Sequence, residues 1–257
     1  MTVVYRTDTG KIRTVNEDCG GFFWNDHCLL AVVADGMGGH QAGDIASEMA
    51  VKFLEEEWKK VDKELTPSEA EKWLYDTIVA ANQKLYEFSK TKAEYSGMGT
   101  TIVAVICTET NVTLAHIGDS RIYMLNEQGF SLLTEDHSLV NELVKNGQIT
   151  KEEAEHHPRK HILLRALGTE ERVMIDVRSL NWEENDVVLL CTDGLTNKVD
   201  ERKLEQIIRT PQSLEQQADE LISMANEAGG EDNITLILIK HMDFDKKGNS
   251  NDQQTAK

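Results

Sequence analysis

Six consecutive apolar residues, Leu29 to Ala34, run straight into Asp35-Gly36-Met37-Gly38-Gly39-His40. A short apolar run closed by Asp-Gly predicts a buried strand over 27–34 that stops abruptly and presents a carboxylate at the rim of a core. Before it, residues 2–7 alternate like an edge strand. Turn-forming Thr7-Asp8-Thr9-Gly10, Arg13, Asn16-Glu17-Asp18, the pair Phe22-Phe23 and a turn at Asn25-Asp26 follow. From 43 to 60 the period changes: Ile45, Met49, Phe53, Leu54 and Trp58 recur at helical spacing with charges on the other face. A second amphipathic helix is predicted after Pro67, with Ser68 as N-cap, running through Leu74, Ile78, Ala81, Leu85 and Phe88.

The middle of the chain reads as a meander of short strands: Thr100 to Cys107, Val112 to Ile117, Ile122 to Asn126 and Phe130 to Thr134. Residues 135–170 are charged, with a capping box at Thr150-x-x-Glu153, and predict a helical, lid-like insertion over the sheet edge. The adjacent pair His156-His157 reads as solvated surface, because neighbouring helical residues do not face the same way. Strands at 173–179 and 186–192, helices near 200–209 and 213–228, a stop at Gly229-Gly230 and a strand at 234–239 complete the pattern. From 241 to 257 the chain is polar and lacks the apolar residues that would order it, so a disordered tail is expected. The sum is an α+β chain built on antiparallel sheet.

At 257 residues the chain is long enough for one large domain. Its net charge of -18 argues against a nucleic-acid partner, since phosphate backbones need a cationic face. Cys19, Cys28, Cys107 and Cys191 form no C-x-x-C pair and sit mostly in apolar runs, which suggests a reducing compartment. With no apolar leader and no run long enough to span a bilayer, a cytoplasmic protein without membrane insertion is expected.

Acidity becomes informative through where the carboxylates fall. Asp35, Asp119 and Asp193 each close an apolar strand, and Asp232 lies just before one. In an antiparallel sheet the end of one strand and the start of its neighbour share an edge, so all four are expected at one rim, joined by Glu17 or Asp18. Such a cluster destabilises the fold unless cations neutralise it. The donors are hard oxygens, which points to Mg²⁺ or Mn²⁺. Two such ions can share a hydroxide that is nucleophilic at neutral pH and stabilise in-line displacement at phosphorus. Arg13 is placed to clamp the phosphate's outer oxygens.

Arg13-x-x-Asn16-Glu17-Asp18, Val33-Ala34-Asp35-Gly36-Met37-Gly38-Gly39-His40, Gly97-Met98-Gly99-Thr100-Thr101, Ile117-Gly118-Asp119-Ser120-Arg121, Thr192-Asp193-Gly194-Leu195 and Glu231-Asp232-Asn233 occur in order. Together they closely resemble the metal-dependent protein Ser/Thr phosphatases of the PPM (PP2C-type) family, in its bacterial single-domain form, over about residues 1–240. The set looks most like the phosphatases that oppose a membrane-anchored Ser/Thr kinase. The resemblance implies a central β-sandwich flanked by paired helices in four αββα layers, with residues 135–170 as the flap and 241–257 as a tail beyond the domain. It implies that Asp35 bridges two core ions, that the Gly36 carbonyl ligates one, and that Asp193 and Asp232 complete the other. Glu17 and Asp18 would act directly or through water, and Asp119 with Asp193 would hold a third, weaker ion. Arg13 would bind the substrate phosphate. Phosphorylated proteins and a cognate Ser/Thr kinase are the implied partners of a monomeric enzyme. Where eukaryotic members carry a histidine directly after the Asp-Gly, this chain has Met37, and His40 three residues on is either the candidate general acid or a structural cap of the following helix.

Other chemistries fit less well. The glycine-rich segment lacks a G-K-[ST] ending, no cysteine is followed by an arginine six positions on, and there is no G-x-S-x-G elbow. The rivals are a catalytically silent member that binds phosphoproteins and a small-molecule phosphatase. A silent member is expected to have lost metal carboxylates, and this chain retains them.

Overall fold

The apolar run at residue 29 folds as a strand with both faces covered, which is why its hydrophobicity is continuous. Leu29, Ala31 and Val33 point into the space between two sheets, while Leu30, Val32 and Ala34 pack beneath helices. The computed structural model describes residues 1–38 and 42–242.

One sheet contains β1 (Thr2–Asp8), and the other contains β2 (Asp18–Trp24) and β3 (Leu29–Met37). Helices α1 (Ala42–Trp58) and α2 (Pro67–Ser89) follow as a pair. The meander is β4 (Gly99–Thr100), β5 (Ile102–Cys107), β6 (Asn111–Ile117), β7 (Arg121–Asn126) and β8 (Gly129–Leu132). Short helices α3 (Leu139–Lys145) and α4 (Lys151–Glu155) occupy the flap. Then come β9 (Asp176–Asn181), β10 (Val187–Cys191), the one-turn α5 (Asp193–Thr196), α6 (Glu201–Ile208), α7 (Leu214–Glu227) and β11 (Ile234–Lys240).

The first sheet has the order β1-β11-β10-β7-β8 and the second β2-β3-β5-β6-β9, with β4 paired to β3; all pairings are antiparallel. Val103, Val105, Ile122, Met124, Val188, Leu190, Ile237 and Ile239 join the inward face of β3 in the core between the sheets. Outside the second sheet lie α1 and α2, and outside the first α6 and α7, each with its own buried cluster. This is the expected four-layer α+β sandwich.

Details differ from the sequence pattern for local reasons. β3 does not stop at Asp35 but runs on to Met37, because Gly36 and Met37 pair with Thr100 and Gly99. β2 escapes a periodicity reading since Gly20 and Gly21 interrupt it, and a Cβ at Gly20 would lie 2.9 Å from the Tyr5 ring. Thr66, not Ser68, caps α2: it forms a capping box with Glu69 and leaves Pro67 at the first helical turn, where a missing N–H costs nothing. The stretch expected as one strand from Thr100 to Cys107 breaks at Thr101. In the flap only α3 and α4 are helical, and neither buries a residue. The expected tail lies, from residue 243 on, outside the described residues.

The flap's return to the body is held by Asn82 on α2. Its side-chain oxygen accepts the Gly168 N–H at 2.8 Å, its amide donates to Glu170 O at 3.0 Å, and the residue is fully buried. Asn82→Ala would unpair both backbone groups in place. The expected cost is about 1–3 kcal/mol, measurable as a lowered urea midpoint at unchanged slope.

Candidate metal centre and active site

The predicted carboxylates meet at one rim, but that rim is shared by two sheets rather than being the edge of one. Asp35 lies on β3 and Asp119 follows β6 in the second sheet, whereas Asp193 follows β10 and Asp232 precedes β11 in the first. Asp18 opens β2 directly opposite Asp35 in the ladder. Two close backbone approaches fix the site's segments, one on the side of each sheet. A Cβ at Gly194 would lie 1.9 Å from Asn233 O, and one at Gly36 would lie 2.0 Å from Gly43 O and 2.6 Å from Glu17 O. Only glycine fits these approaches. They set Asp193 beside Asp232, and Asp35 beside the loop that carries Glu17.

The side chains of Asp35 and Asp193 lie within hydrogen-bonding reach of each other. Burial, followed by the charges of Asp18, Asp193, Asp119 and Asp232, holds the Asp35 carboxyl well above its ordinary range. Burial likewise pushes Asp18 up to about 7, with Asp193 and Asp232 adding to the shift against hydroxyl bonds from Thr235 and Thr192. Asp119 is pushed up to about 8 by burial and then by Asp193 and Asp136. Asp193 is raised by burial and then by Asp232, and Glu17 by burial against the charge of Arg13. An all-oxygen donor set whose members resist ionising together suits hard divalent cations, which would relieve the repulsion.

Arg13 stands at the mouth of this cluster, its side chain about half exposed. Nη2 lies 3.0 Å from Asp232 Oδ1, and Nη1 lies 3.7 Å from Glu17 Oε2. The candidate His40 lies outside the described residues.

Several residues brace the site that pattern reading left without a role. Buried Asn233 accepts the Glu17 N–H at 2.8 Å and donates to Thr9 O and Val15 O, fixing the loop that carries Arg13 and Glu17. Thr192 does not cap α5 with its side chain but donates to Asp18 Oδ2 at 2.9 Å. Thr101 Oγ1 accepts the Asp35 N–H at 3.0 Å and lies 2.8 Å from Ser120 Oγ, which links the Asp35 and Asp119 segments. Arg121 grips Asp136 through two bonds of 2.9 and 2.7 Å. Ser120, Arg121, Thr101 and Asn233 stand in the quoted motifs, but only their neighbours in space reveal what they do. In the flap, His161 favours ionised Asp193 electrostatically.

A separate trio, His116, His137 and Asp176, has ligand atoms within 4.8 Å of one another. Its hydrogen bonds disfavour a cation. His137 Nδ1 accepts the Gly118 N–H at 3.2 Å, which assigns its proton to Nε2, facing Asp176 Oδ2 at 3.1 Å. Arg165 Nη1 occupies the same corner, 3.2 Å from that nitrogen.

The protein phosphatase 2C family model matches residues 11–238. The chain belongs to the protein phosphatase 2C family. It is 48% identical over 249 residues to the serine/threonine phosphatase stp of Listeria monocytogenes, covering 96% of this chain and 98% of that one. It is 40% identical over 241 residues to protein phosphatase PhpP of Streptococcus pneumoniae, covering 93% and 97%. The crystal structure of serine/threonine phosphatase Stp1 from Staphylococcus aureus superposes with a TM-score of 0.88 at 38% identity, covering 93% of this chain and 94% of that one. Protein phosphatase 2C is a metal-dependent family, and the rim carboxylates of this member have the chemistry such ions require.

The raised carboxyls have a measurable consequence. Each binds its proton more tightly in the folded chain than in the unfolded one, so the folded state holds more protons between the two values and stability falls as pH rises. The window opens near the ordinary carboxyl value of 3.8 and closes at about 7 for Asp18 and about 8 for Asp119. Thermal melts in EDTA are expected to show a melting temperature that declines by several degrees across this window. Millimolar Mn²⁺ or Mg²⁺ is expected to remove most of the decline by making the ionised forms the bound ones.

Proposed function

We propose that this protein hydrolyses phosphoserine and phosphothreonine in proteins, with residues 1–240 as the catalytic unit and residues 135–170 as its flap. The observation that carries the reading is the meeting of partly buried acidic side chains from both sheets, with an exposed arginine at their edge. Asp35, the Gly36 carbonyl, Asp193 and Asp232 would hold two Mn²⁺ or Mg²⁺ ions, with Glu17 and Asp18 acting directly or through water. Asp119 and Asp193 would hold a third, weaker one. Ions of this kind supply Lewis acidity, lowering the pKa of water to about 7 and offsetting phosphate charge.

The chain's own groups do the rest. Arg13 rests on Asp232 and Glu17, and its planar guanidinium is free to exchange these carboxylates for the outer oxygens of an arriving phosphoryl group. Glu17 and Asp232 thus keep the guanidinium aimed at the site when no substrate is present. The Thr101–Ser120 link and the Thr192 hydroxyl keep Asp35, Asp119 and Asp18 from turning away to solvent. The leaving alkoxide needs a proton, and His40 is the candidate donor. Free thiols at Cys19, Cys28, Cys107 and Cys191 suit the cytoplasm, where a Ser/Thr kinase would supply the substrates. No helix among the described residues is long and apolar enough to cross a membrane.

Release of phosphate from p-nitrophenyl phosphate and from a phosphothreonine peptide should require Mn²⁺ or Mg²⁺. Asp193→Ala should lower it by at least about 100-fold. A folded, ion-replete protein with no turnover would leave only the silent phosphoprotein binder. Asp35→Asn should retain phosphorylated proteins on a column, and retention of small phosphate esters instead would favour the small-molecule reading.

His40→Ala should slow turnover and flatten the basic limb of the pH–rate profile. An unchanged rate and profile would remove His40 from the mechanism.

A further inference from the structure

We infer that His137 is a positioning residue for Asp119, fastening the Gly118–Asp119 turn to the flap so that the two move as one body. The inference rests on the proposed role of Asp119 as ligand of the weaker ion, and it adds a cause for that carboxylate's orientation.

The turn has little freedom of its own choosing. Gly118 has φ +105°, and a Cβ there would lie 2.5 Å from Thr101 Cγ2, so the backbone adopts a shape that other residues rarely take. After Asp119, Ser120 is buried and bonded to Thr101 at 2.8 Å. Before it, Gly118 is gripped on both of its polar groups by one residue. Its carbonyl accepts the His137 N–H at 2.9 Å, and its N–H donates to His137 Nδ1 at 3.2 Å. Asp119 is therefore the free link between two fixed neighbours.

The imidazole is itself held in the tautomer this grip needs. Nε2 faces Asp176 Oδ2 at 3.1 Å, and Arg165 Nη1 lies 3.4 Å from Asp176 Oδ1. The ring stacks on His116 at 4.6 Å between centroids and is buried, and burial keeps it neutral, leaving Nδ1 as an acceptor. On its other side His137 belongs to the flap: its carbonyl accepts the Leu164 N–H at 2.8 Å, Leu139 N–H donates to Ile162 O at 2.8 Å, and Ser138 bridges Leu163. Through one side chain the inner edge of the flap is joined to the turn that carries Asp119.

His137→Asn and His137→Gln separate this role from space filling. Asparagine carries an amide oxygen near the place of Nδ1, whereas the glutamine amide reaches toward Nε2. In the full chain without metal, His137→Gln is expected to speed hydrogen exchange of the Gly118 amide by about 5-fold to 10-fold, the equivalent of one lost hydrogen bond. It is also expected to weaken the weaker calorimetric Mn²⁺ step several-fold, and His137→Asn to restore both toward the parent. A folded His137→Gln with parental Gly118 protection overturns the proposal, as does a released Gly118 with unchanged weak-site Mn²⁺ affinity. If His137→Gln does not fold, Asp176→Ala at its half-exposed position decides, because unchanged Gly118 exchange there overturns the proposal as well. Asp119→Asn reports on the underlying reading. If it binds Mn²⁺ as the parent does, Asp119 is not a ligand, while Gly118 exchange still tests the clamp.

Discussion

Repulsion among carboxylates drawn out of water is the constraint on which the rest of this molecule turns. Asp35 and Asp193 touch, Asp18 faces Asp35 across a strand pair, and Asp119 and Asp232 lie within reach of their charges. Left to themselves such groups would swing apart into solvent. Backbone approaches at Gly36 and Gly194 that leave no room for a side chain fix the members on each sheet, and a core that resists opening keeps the two sheets' members together. Each Leu, Ile or Val buried between the sheets contributes about 1.5–3 kcal/mol, and more than a dozen apolar side chains stand behind the rim. The sandwich thus stores a local electrostatic penalty that a divalent ion can cancel, which is the condition for binding it well.

The carboxylates themselves were legible because three of them close an apolar run and Asp232 lies just before one, and a pattern that is only a tight turn when it occurs once recurs here several times. Their grouping was legible only in outline. Antiparallel pairing suggested one edge, and the structure uses the ends of two sheets, a difference that single-strand patterns cannot express. β2 was invisible for a related reason: Gly20 lets Tyr5 of the other sheet approach, Gly21 lies under the Phe23 ring, and the two erase the alternation that would mark a strand. The helices were read to within a few residues since their stripes face a single sheet. Asn233, Thr101 and Thr192 act through partners between 19 and 224 positions away in the chain, so their chemistry appears only once the register is known.

The flap combines two kinds of structure that its composition blends into one. Its outer part, α3 and α4, buries nothing and is held by caps and surface charge. Its inner part is wired to the body: Arg121 grips Asp136, Ser138 bridges Leu163, and Asn82 receives the chain at Gly168. An insertion built this way can vary on its outer face without loosening the edge beside Asp119. The charged sequence of 135–170 records the first property and conceals the second.

Because the acidic groups come from both sheets, occupancy of the rim and closure of the sandwich are thermodynamically one process. Asp35 and Asp119 are placed by β3 and β6, Asp193 and Asp232 by β10 and β11, and the two sides are joined by the apolar layer between the sheets and by polar links at the rim, Thr192 to Asp18 and Asn233 to the Glu17 N–H. Any ligand that engages members of both pairs stabilises the packed state by an amount that rises with the logarithm of its concentration over its dissociation constant. Conversely, a substitution deep in that layer, far from any charge, weakens ion binding by letting the sheets part. Arg13 belongs to the same linkage: it bonds to Asp232 of one sheet and reaches Glu17, which leads into the other.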